Sequence, residues 1–400
     1  MVVIVADDLG WSDVGFHSKT IDTPNLVKLA NQSTELSRFY TYPLCSPTRA
    51  ALLTGNSPRR VSMFSALGPR QQGLPSGTTT LPSILSKEGY NTSLVGKWHL
   101  GKANTPQTAG FDHFYGFLNA EVNYFNHTGQ TGNIDWQRDG KTINEEGYST
   151  YLLANEASSQ IKSRDKSKPF YLQLNFNAPH FPLSAPDELI QKNSSKGTKL
   201  GLYHAVIEAL DQGIGQVLNA IETENIQNDT VVIFFSDNGG SRREGGNNLP
   251  WTAGKGTAYE GGIHTPALIR WPNHIREGNI LAQPIQVEDL FPTLAEMAGI
   301  QSSRLTNSDG KSQLNSILNA KPFPRQPLYI GSVDSIIIDG DWKYVEFLEG
   351  NKALYNLKSD PSERTNLMNS QSEVATRLAS ELKKRTIGMP PLPSTRPIGG

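Results

Sequence analysis

The 400-residue chain has 37 basic and 38 acidic side chains and a formal net charge of -1. This balance excludes a global field that would attract nucleic acid or an anionic membrane surface, and no apolar run approaches the roughly 18 residues of a membrane span. The single cysteine, Cys45, excludes intramolecular disulfides and cysteine-based zinc sites.

The chain begins with an apolar run, Met1 to Ala6, that predicts a buried strand. We expect the natural N-terminus to lie upstream, with a signal peptide missing from this sequence, and the protein to be exported to the periplasm or the exterior. The alternative is a cytoplasmic protein that begins with a strand.

Short runs rich in Val, Ile and Phe alternate with helical patterns, which predicts an α/β protein with a central sheet covered on both faces. The strands expected in chain order are Val2–Ala6, Thr92–Val95, Phe170–Asn175, Val231–Ser236 and Ala267–Arg270. The expected helices are Thr23–Ala30, Pro47–Leu53, Leu81–Lys87, Thr150–Ser163, Lys199–Ile221 and Val287–Ala298.

After about residue 320 the pattern changes to short strands with tight turns, followed by a helix over Ser372–Lys384 and a Pro-rich tail. We therefore expect a catalytic α/β domain over 1–320 and a smaller domain over 321–400, built on an antiparallel sheet and a helix.

Two predicted core strands end in acidic loops. Asp7 and Asp8 follow the first strand, and Asp237 and Asn238 follow the strand Val231–Ser236. An Asx turn would explain one such loop. Two of them at strand ends, where open α/β sheets bind ligands, favour a Ca²⁺ or Mg²⁺ site with oxygen ligands.

Cationic and imidazole side chains occupy other loops of the same kind. Lys97 and His99 follow one strand, His180 follows another, and Lys255 lies between glycines. Each alone is more simply a solvated or incidental residue. Together with the acidic loops they predict a pocket for a tetrahedral oxyanion ester.

Cys45 lies just before the helix that Pro47 is expected to open, where backbone amides favour negative charge. Arg49 is one helical turn farther on and is expected to face the same site. This placement favours a nucleophile or a metal-facing group over a core residue.

These residues and their order resemble the type I sulfatases of the alkaline phosphatase superfamily. The similarity runs from Val2 to about Asn366 and is carried by the motifs ADDLG, CSPTR with AALLTG, GKWHLG, a PH-x-P loop, SDNGG and K-x(4)-EGG. It implies a large mixed sheet between helices and a C-terminal subdomain around a small antiparallel sheet. It also implies that a formylglycine-generating maturation enzyme oxidises Cys45 to formylglycine (3-oxoalanine).

The resemblance further implies a role for each motif residue. One Ca²⁺ would be held by Asp7, Asp8, Asp237, Asn238 and the modified Cys45, and the sulfate would be surrounded by Arg49, Lys97, His99, His180 and Lys255. The hydrated aldehyde at Cys45 would attack sulfur, His180 with Lys255 would protonate the leaving group, and His99 would take a proton from the second hydroxyl to expel sulfate.

Within the family the chain is most similar to the N-acetylgalactosamine 4-sulfatases of the arylsulfatase B group and to bacterial sulfatases of sulfated polysaccharides. A galactan such as carrageenan, or a galactosamine-type glycosaminoglycan, is the implied substrate. The absence of further cysteines favours a bacterial exported enzyme over a lysosomal one. Expected sugar contacts are His17, His113, Arg242, Arg243, Asn247, Asn248, Trp251 and His264, and ordinary loop surface is the alternative for each.

Two other functions stay open. A phosphate or phosphonate monoester hydrolase could use the same oxyanion pocket, although no second metal cluster is evident. A protein that binds sulfated glycans without turnover would keep Cys45 unmodified, although binding alone does not require His99.

Overall fold

The computed structural model describes residues 1–301, 305, 308–393 and 395. The strands are β1 (Val2–Ala6), β2 (Thr34–Leu36), β3 (Phe39–Tyr40), β4 (Asn91–Lys97), β5 (His113–Phe117), β6 (Gln137–Arg138), β7 (Lys141–Thr142), β8 (Phe170–Asn175), β9 (Val232–Ser236), β10 (Ala267–Arg270), β11 (Asn279–Leu281), β12 (Ile285–Gln286), β13 (Leu328–Gly331), β14 (Ser335–Asp339), β15 (Trp342–Glu346) and β16 (Lys352–Asn356). The α-helices are α1 (Pro24–Asn31), α2 (Cys45–Thr54), α3 (Leu81–Lys87), α4 (Ser149–Ser163), α5 (Asp187–Lys192), α6 (Thr198–Thr223), α7 (Glu260–Ile263), α8 (Leu290–Met297), α9 (Leu314–Asn319) and α10 (Ser372–Arg385).

The central sheet has ten strands in the order β11-β2-β10-β9-β1-β8-β4-β5-β6-β7. The strand β1 lies between β9 and β8, parallel to both, and all five of its residues are buried. The neighbouring β10 is antiparallel to β9, so the sheet is mixed. A strand buried on both faces explains why β1 reads as a continuous apolar run rather than an alternating one.

Both faces of the sheet are covered by helices. Val3 and Val5 point into a core that includes apolar residues of α2, α3 and α8, whereas Val2 and Ile4 point into a core with α1, α4 and α6. Successive strand residues alternate between faces, so β1 contributes to both cores.

The C-terminal sheet is an antiparallel meander, β13-β14-β15-β16. One face, with Ile337 and Leu354, packs on Leu378 and Leu382 of α10. The other face, with Ile336 and Val345, belongs to the main core. The smaller sheet is therefore attached to the large one by shared apolar packing.

The predicted fold class is confirmed, including the mixed sheet and the C-terminal antiparallel sheet with its helix. The domain division expected at residue 320 falls between α9 and β13, and one hydrophobic core extends across it; the division stays a prediction. Part of the expected tail, 394 and 396–400, lies outside the described residues. Within the described ranges, no helix is long and apolar enough to cross a membrane.

Several predicted boundaries differ from the structure by one or two residues, and three differences concern elements near the predicted site or within the core. The helix α2 begins at Cys45 rather than Pro47, because a proline in the first turn removes an N–H that has no helical partner there. The strand β4 continues to Lys97, which was expected in a loop. The helix expected over 287–298 is a 3₁₀ turn, Val287–Asp289, followed by α8.

Candidate active site

Four adjacent strands place the predicted site residues at one edge of the central sheet. The strands β9, β1, β8 and β4 are neighbours and run parallel, so their carboxyl ends meet. The residues after these ends are Asp237 and Asn238 (β9), Asp7 and Asp8 (β1), His180 (β8) and His99 (β4). The helix α2 adds Cys45 and Arg49, and all ten of its residues are buried.

Each buried carboxylate of the site is paired with one cation. The Nζ atom of Lys97 lies 2.6 Å from Oδ2 of Asp7, and Nζ of Lys255 lies 2.7 Å from Oδ2 of Asp8. The third pair joins Nη2 of Arg49 to Oδ2 of Asp237 at 2.7 Å. Pairing of this kind offsets the desolvation of buried charges.

The three carboxylates nevertheless repel one another. Burial and the negative charge of Asp7 raise the pKa of Asp237 to about 6. Burial also opposes ionisation of Asp8, but Lys255 and His180 outweigh it and lower the pKa of Asp8 to about 2. A further positive charge in this cluster would relieve the repulsion.

The donor set fits a calcium ion. The side-chain oxygen Oδ1 of Asn238 is buried and has no hydrogen-bond partner in the described part of the chain, while its Nδ2 donates to Oδ1 of Asp8 at 2.7 Å. Possible ligand atoms of Asp7, Asp8, Cys45 and His180 lie within 4.8 Å of one another. Carboxylate and amide oxygens are the ligands that Ca²⁺ prefers.

The thiol of Cys45 is buried beside this cluster. Its Sγ donates to Oδ1 of Asp7 at 3.6 Å. Burial raises the pKa of Cys45 to about 12, and the charges of Asp237 and Asp7 add to this effect. The unmodified sulfur is therefore protonated at neutral pH and is a poor nucleophile.

His99 presents a free ring nitrogen. Its Nε2 donates to the backbone oxygen of Leu67 at 2.9 Å, which leaves Nδ1 unprotonated. That Nδ1 is buried and has no partner among the described residues. Burial and the charge of Lys97 lower the pKa of His99 well below its usual value, so the ring is neutral with an available lone pair.

His180 has the opposite arrangement. Its Nδ1 donates to the backbone oxygen of Phe181 at 2.6 Å, and its Nε2 accepts from Nζ of Lys255 at 3.2 Å. Burial and Lys255 lower the pKa of His180 to about 3. Burial opposes the charge of Lys255, but Asp8 outweighs it and raises the pKa of Lys255. The lysine is therefore the protonated member of this pair.

Comparison with known proteins identifies the family. The family model described as Sulfatase matches residues 1–300, and a model described as N-sulphoglucosamine sulphohydrolase, C-terminal, matches residues 253–388. The chain belongs to the sulfatase family. The resemblance that the motifs indicated is confirmed.

Named relatives and solved structures agree with this assignment. Arylsulfatase J of Mus musculus is 31% identical over 358 residues, which cover 86% of this chain and 60% of that protein. N-acetylgalactosamine-6-sulfatase of Mus musculus is 32% identical over 360 residues, which cover 82% of this chain and 68% of that protein. The crystal structure of Ps i-CgsB has a TM-score of 0.90 and 32% identity, covering 96% of this chain and 92% of that one. The same protein has been solved in complex with k-i-k-neocarrahexaose.

Two of the expected sugar contacts lie beside the sulfatase site. A cavity of about 330 Å³ is lined by Arg242 and Arg243 together with Phe181 and Lys255. Lys255 belongs both to this cavity and to the cation–carboxylate cluster, so the two spaces adjoin.

Other expected sugar contacts have structural partners in this sulfatase. The ring of His264 is buried, bonds to Glu260 and to the backbone of Ser37, and stacks on Trp251 at 4.7 Å. Asn248 is buried and bonds to backbone atoms of the loop after β9. The polar side-chain atoms of His264 and Asn248 are thus committed to the protein, whereas Nε1 of Trp251 is buried and has no hydrogen-bond partner among the described residues.

Two further expected sugar contacts, His17 and Asn247, also bond to other parts of the protein. The ring of His17 bonds to the backbone of Trp11 and to Glu35, and the backbone N–H of Asn247 donates to Asp13. Neither lines the cavity of Arg242 and Arg243.

His113 lies at the other edge of the sheet. It begins β5 opposite Ser93, whereas the site is at the end of β4, where Lys97 lies opposite Phe117. Its ring pairs with Asp139 and Glu156. The prediction of a sugar contact took no account of strand direction, and the structure does not bring His113 to the site.

Sequence reasoning missed three features. Phe181 lies within the PH-x-P motif and stacks on His180 at 4.7 Å. Its position in the motif could therefore have predicted that it borders the site. Glu260 lies within the EGG motif but received no role. The backbone oxygen that orients His99 belongs to Leu67, and the sequence carries no signal for it.

Proposed function

We propose that the protein is a Ca²⁺-dependent sulfatase that uses a formylglycine at Cys45 to hydrolyse sulfate esters of a carbohydrate. The observation that carries this proposal is the burial of Cys45 against Asp7, among three cations and an Asn238 oxygen that has no hydrogen-bond partner among the described residues. The thiol is poorly suited to nucleophilic attack in that environment, and the surroundings suit an ester oxyanion.

Five side chains would hold the calcium ion, namely those of Asp7, Asp8, Asp237, Asn238 and the modified Cys45. When bound, Ca²⁺ supplies positive charge to sulfate oxygens, and formylglycine supplies a hydrated aldehyde as nucleophile. The surrounding cations that now pair with the carboxylates, those of Arg49, Lys97 and Lys255, supply charge-assisted hydrogen bonds to the sulfate.

Protonation of the leaving oxygen falls to the pair formed by Lys255 and His180. Lys255 donates to Nε2 of His180, and the ring is held by the backbone oxygen of Phe181. Lys255, the protonated member of the pair, can supply the proton to a sugar oxygen, and His180 holds its ammonium group in position.

His99 would accept the proton that a hydroxyl of the hydrated aldehyde at Cys45 loses. Its Nδ1 carries a lone pair, because Nε2 is fixed as the donor to Leu67. A neutral imidazole in this state is a competent general base. The low pKa keeps it neutral across the physiological range.

Support for a sulfated carbohydrate comes from the relatives. A structure with 32% identity binds k-i-k-neocarrahexaose, an oligosaccharide of the carrageenan type, and the galactosamine sulfatases match most of the chain. We therefore propose a galactan or a galactosamine-type glycan as substrate. A formylglycine-generating maturation enzyme as partner, and export from the cell, remain part of the same proposal.

The test is release of inorganic sulfate by protein produced together with a formylglycine-generating enzyme, with Cys45→Ala as the matched control. Carrageenan and dermatan oligosaccharides are assayed beside a phosphate monoester. Sulfate release that depends on Cys45 supports the proposal. Preferential phosphate release would favour a phosphatase instead, and tight glycan binding without turnover of the matured protein would favour a binding protein.

A further inference from the structure

The cavity beside Lys255 contains a pair of cations that the mechanism does not use. Arg242 and Arg243 line it, and the side chain of Arg243 is 89% exposed. Because Lys255 also lines the cavity, a group placed there lies next to the substrate's reacting sulfate. The charge of this cavity therefore bears on which substrates fit.

These arginines differ from the cations of the cluster in having little compensation. Lys97, Lys255 and Arg49 each pair with a buried carboxylate. Across the described residues, no carboxylate pairs with Arg242. Arg243 has only its neighbour Glu244, at 3.6 Å.

Glu244 is the acidic residue of the cavity. Its other oxygen lies 3.5 Å from Nζ of Lys199, outside the cavity lining. Because Lys255 is already paired with Asp8, the charges left to balance in the cavity are those of Arg242 and Arg243, against one carboxylate that is shared with Lys199. The cavity has a net positive charge.

The loop that carries the arginines is braced. Asn248 accepts from the backbone N–H of Gly240 at 2.8 Å and donates to the oxygens of Gly240 and Ala253 at 2.9 and 3.1 Å. A Cβ on Gly254 would lie 3.2 Å from Cγ of Arg242, so the glycine lets the arginine stem cross the Lys255 loop. An arginine held in this way, as Arg242 is, binds an anion with less loss of entropy.

An aromatic face borders the same space. Phe181 is 40% exposed, stacks on His180 and lines the cavity. An exposed ring next to charged groups suits the apolar face of a sugar. The cavity thus combines a surface for a sugar ring with cations for a substituent on it.

We propose that Arg242 and Arg243 form a subsite for a second anionic substituent, a sulfate or a carboxylate, on the sugar adjoining the one that carries the scissile sulfate. This inference rests on the proposed function and narrows its substrate class to oligosaccharides with charge on consecutive residues. Arginine suits the role because its planar fork binds both anions through paired hydrogen bonds.

The test measures binding separately from turnover. Calorimetry with the Ca²⁺-loaded Cys45→Ala protein compares neocarratetraoses with singly and doubly sulfated repeats, and chondroitin 4-sulfate with its carboxyl-reduced form. We expect the ligand with the extra anion to bind about tenfold tighter in at least one of the two comparisons. The comparison that shows the difference identifies the anion as sulfate or carboxylate.

The double substitution Arg242→Gln and Arg243→Gln should remove that preference, whereas Arg276→Gln should retain it. Arg276 is exposed and follows β10 at the amino end of β9, away from the site.

Equal affinity within both comparisons, or a uniform loss in the double variant, would overturn the subsite. Lack of any sulfate release by the matured unsubstituted protein would instead count against the proposed function.

Discussion

Lys343 of the C-terminal sheet pairs with Glu260, the first residue of α7, which directly follows the loop that carries Lys255. Its Nζ lies 2.9 Å from Oε1 of Glu260 and 2.7 Å from Oε1 of Glu363, and the lysine side chain has no solvent exposure. Burial opposes ionisation of Glu260, but Lys343 outweighs it and lowers the pKa of Glu260 to about 2. The smaller sheet therefore fixes the position of a proposed sulfate-binding segment.

Replacing Lys343 by Met should destabilise the protein and reduce its activity. Two carboxylates would be left buried without their cation, which costs about 3–5 kcal/mol, and the segment with Lys255 would lose its anchor. Denaturant unfolding should show the loss in stability, and kcat on a sulfate ester should fall about tenfold.

Lys352→Gln is the matched control for that change. Lys352 lies on the adjacent strand, and its pair with Glu346 is exposed, with side chains 49% and 38% accessible. The expected change is below about 1 kcal/mol. Similar losses for the two variants would show that the buried pair has no special role.

The buried carboxyl of Glu288 should make stability depend on pH. It accepts from the Tyr42 hydroxyl at 2.8 Å, and burial with the charge of Asp289 raises its pKa from 4.5 to about 8. Between these values the folded state keeps a proton that the unfolded state releases, so stability falls as pH rises, by at most about 1.4 kcal/mol per pH unit.

Glu288→Gln should remove this contribution. The variant and the unsubstituted protein should have similar free energies of unfolding near pH 4.5. As the pH rises to 8, the variant should become increasingly more stable than the unsubstituted protein. Unfolding free energies measured across that range provide the test. Parallel pH curves for the two proteins would show that Glu288 is ionised in the folded state.

Calcium should stabilise the protein through Asn238. After removal of divalent ions with a chelator, saturating Ca²⁺ should raise the melting temperature, because it binds only the folded site. At 100 times the Kd the gain in unfolding free energy is about 2.7 kcal/mol. Asn238→Ala should lose most of this response. The substitution removes the side-chain oxygen that has no hydrogen-bond partner among the described residues and that is a proposed calcium ligand.

Asn193→Ala is the comparison variant. Asn193 is also buried, but it bonds to Leu189 and Glu208 on the α5–α6 side of the molecule. It should lower stability and keep the calcium response. A calcium response that survives in Asn238→Ala would contradict the predicted ligand set.

His180→Ala should affect poor leaving groups most. Sugar alkoxides need a proton on departure, so kcat on a sugar sulfate should fall by about 10²–10⁴, whereas 4-nitrophenyl sulfate should lose much less. The test compares kcat on both substrates. His204→Ala, at another buried histidine on α6, should change neither. Equal losses on both substrates for His180→Ala would argue against proton donation by the pair of Lys255 and His180.

Local patterns were sufficient to predict the strands at the centre of the sheet. The run at β1 and the acidic pair after it are signals within a few residues, and parallel strand ends meet by necessity. The motif residues Asp7, Asp237, His99 and His180 were therefore expected together, and the structure brings them together.

The partners of polar loop residues could not be predicted in this way. His264 and Asn248 were expected to face sugar, but His264 bonds to Glu260 and to the distant backbone of Ser37, and Asn248 bonds to the backbone of its own loop at Gly240. Lys343 gave no signal, because its partners lie in a distant part of the chain. Such contacts depend on how the two sheets pack.

The measurement that tests the central claim most directly is peptide mass spectrometry of the tryptic fragment Phe39–Arg49. The protein is made with an active formylglycine-generating enzyme, and sulfate release by the same preparation is measured in parallel. The account predicts a loss of about 18 Da at Cys45 and turnover in proportion to the converted fraction. An intact thiol in that protein, or sulfate release that does not follow the conversion, would contradict it.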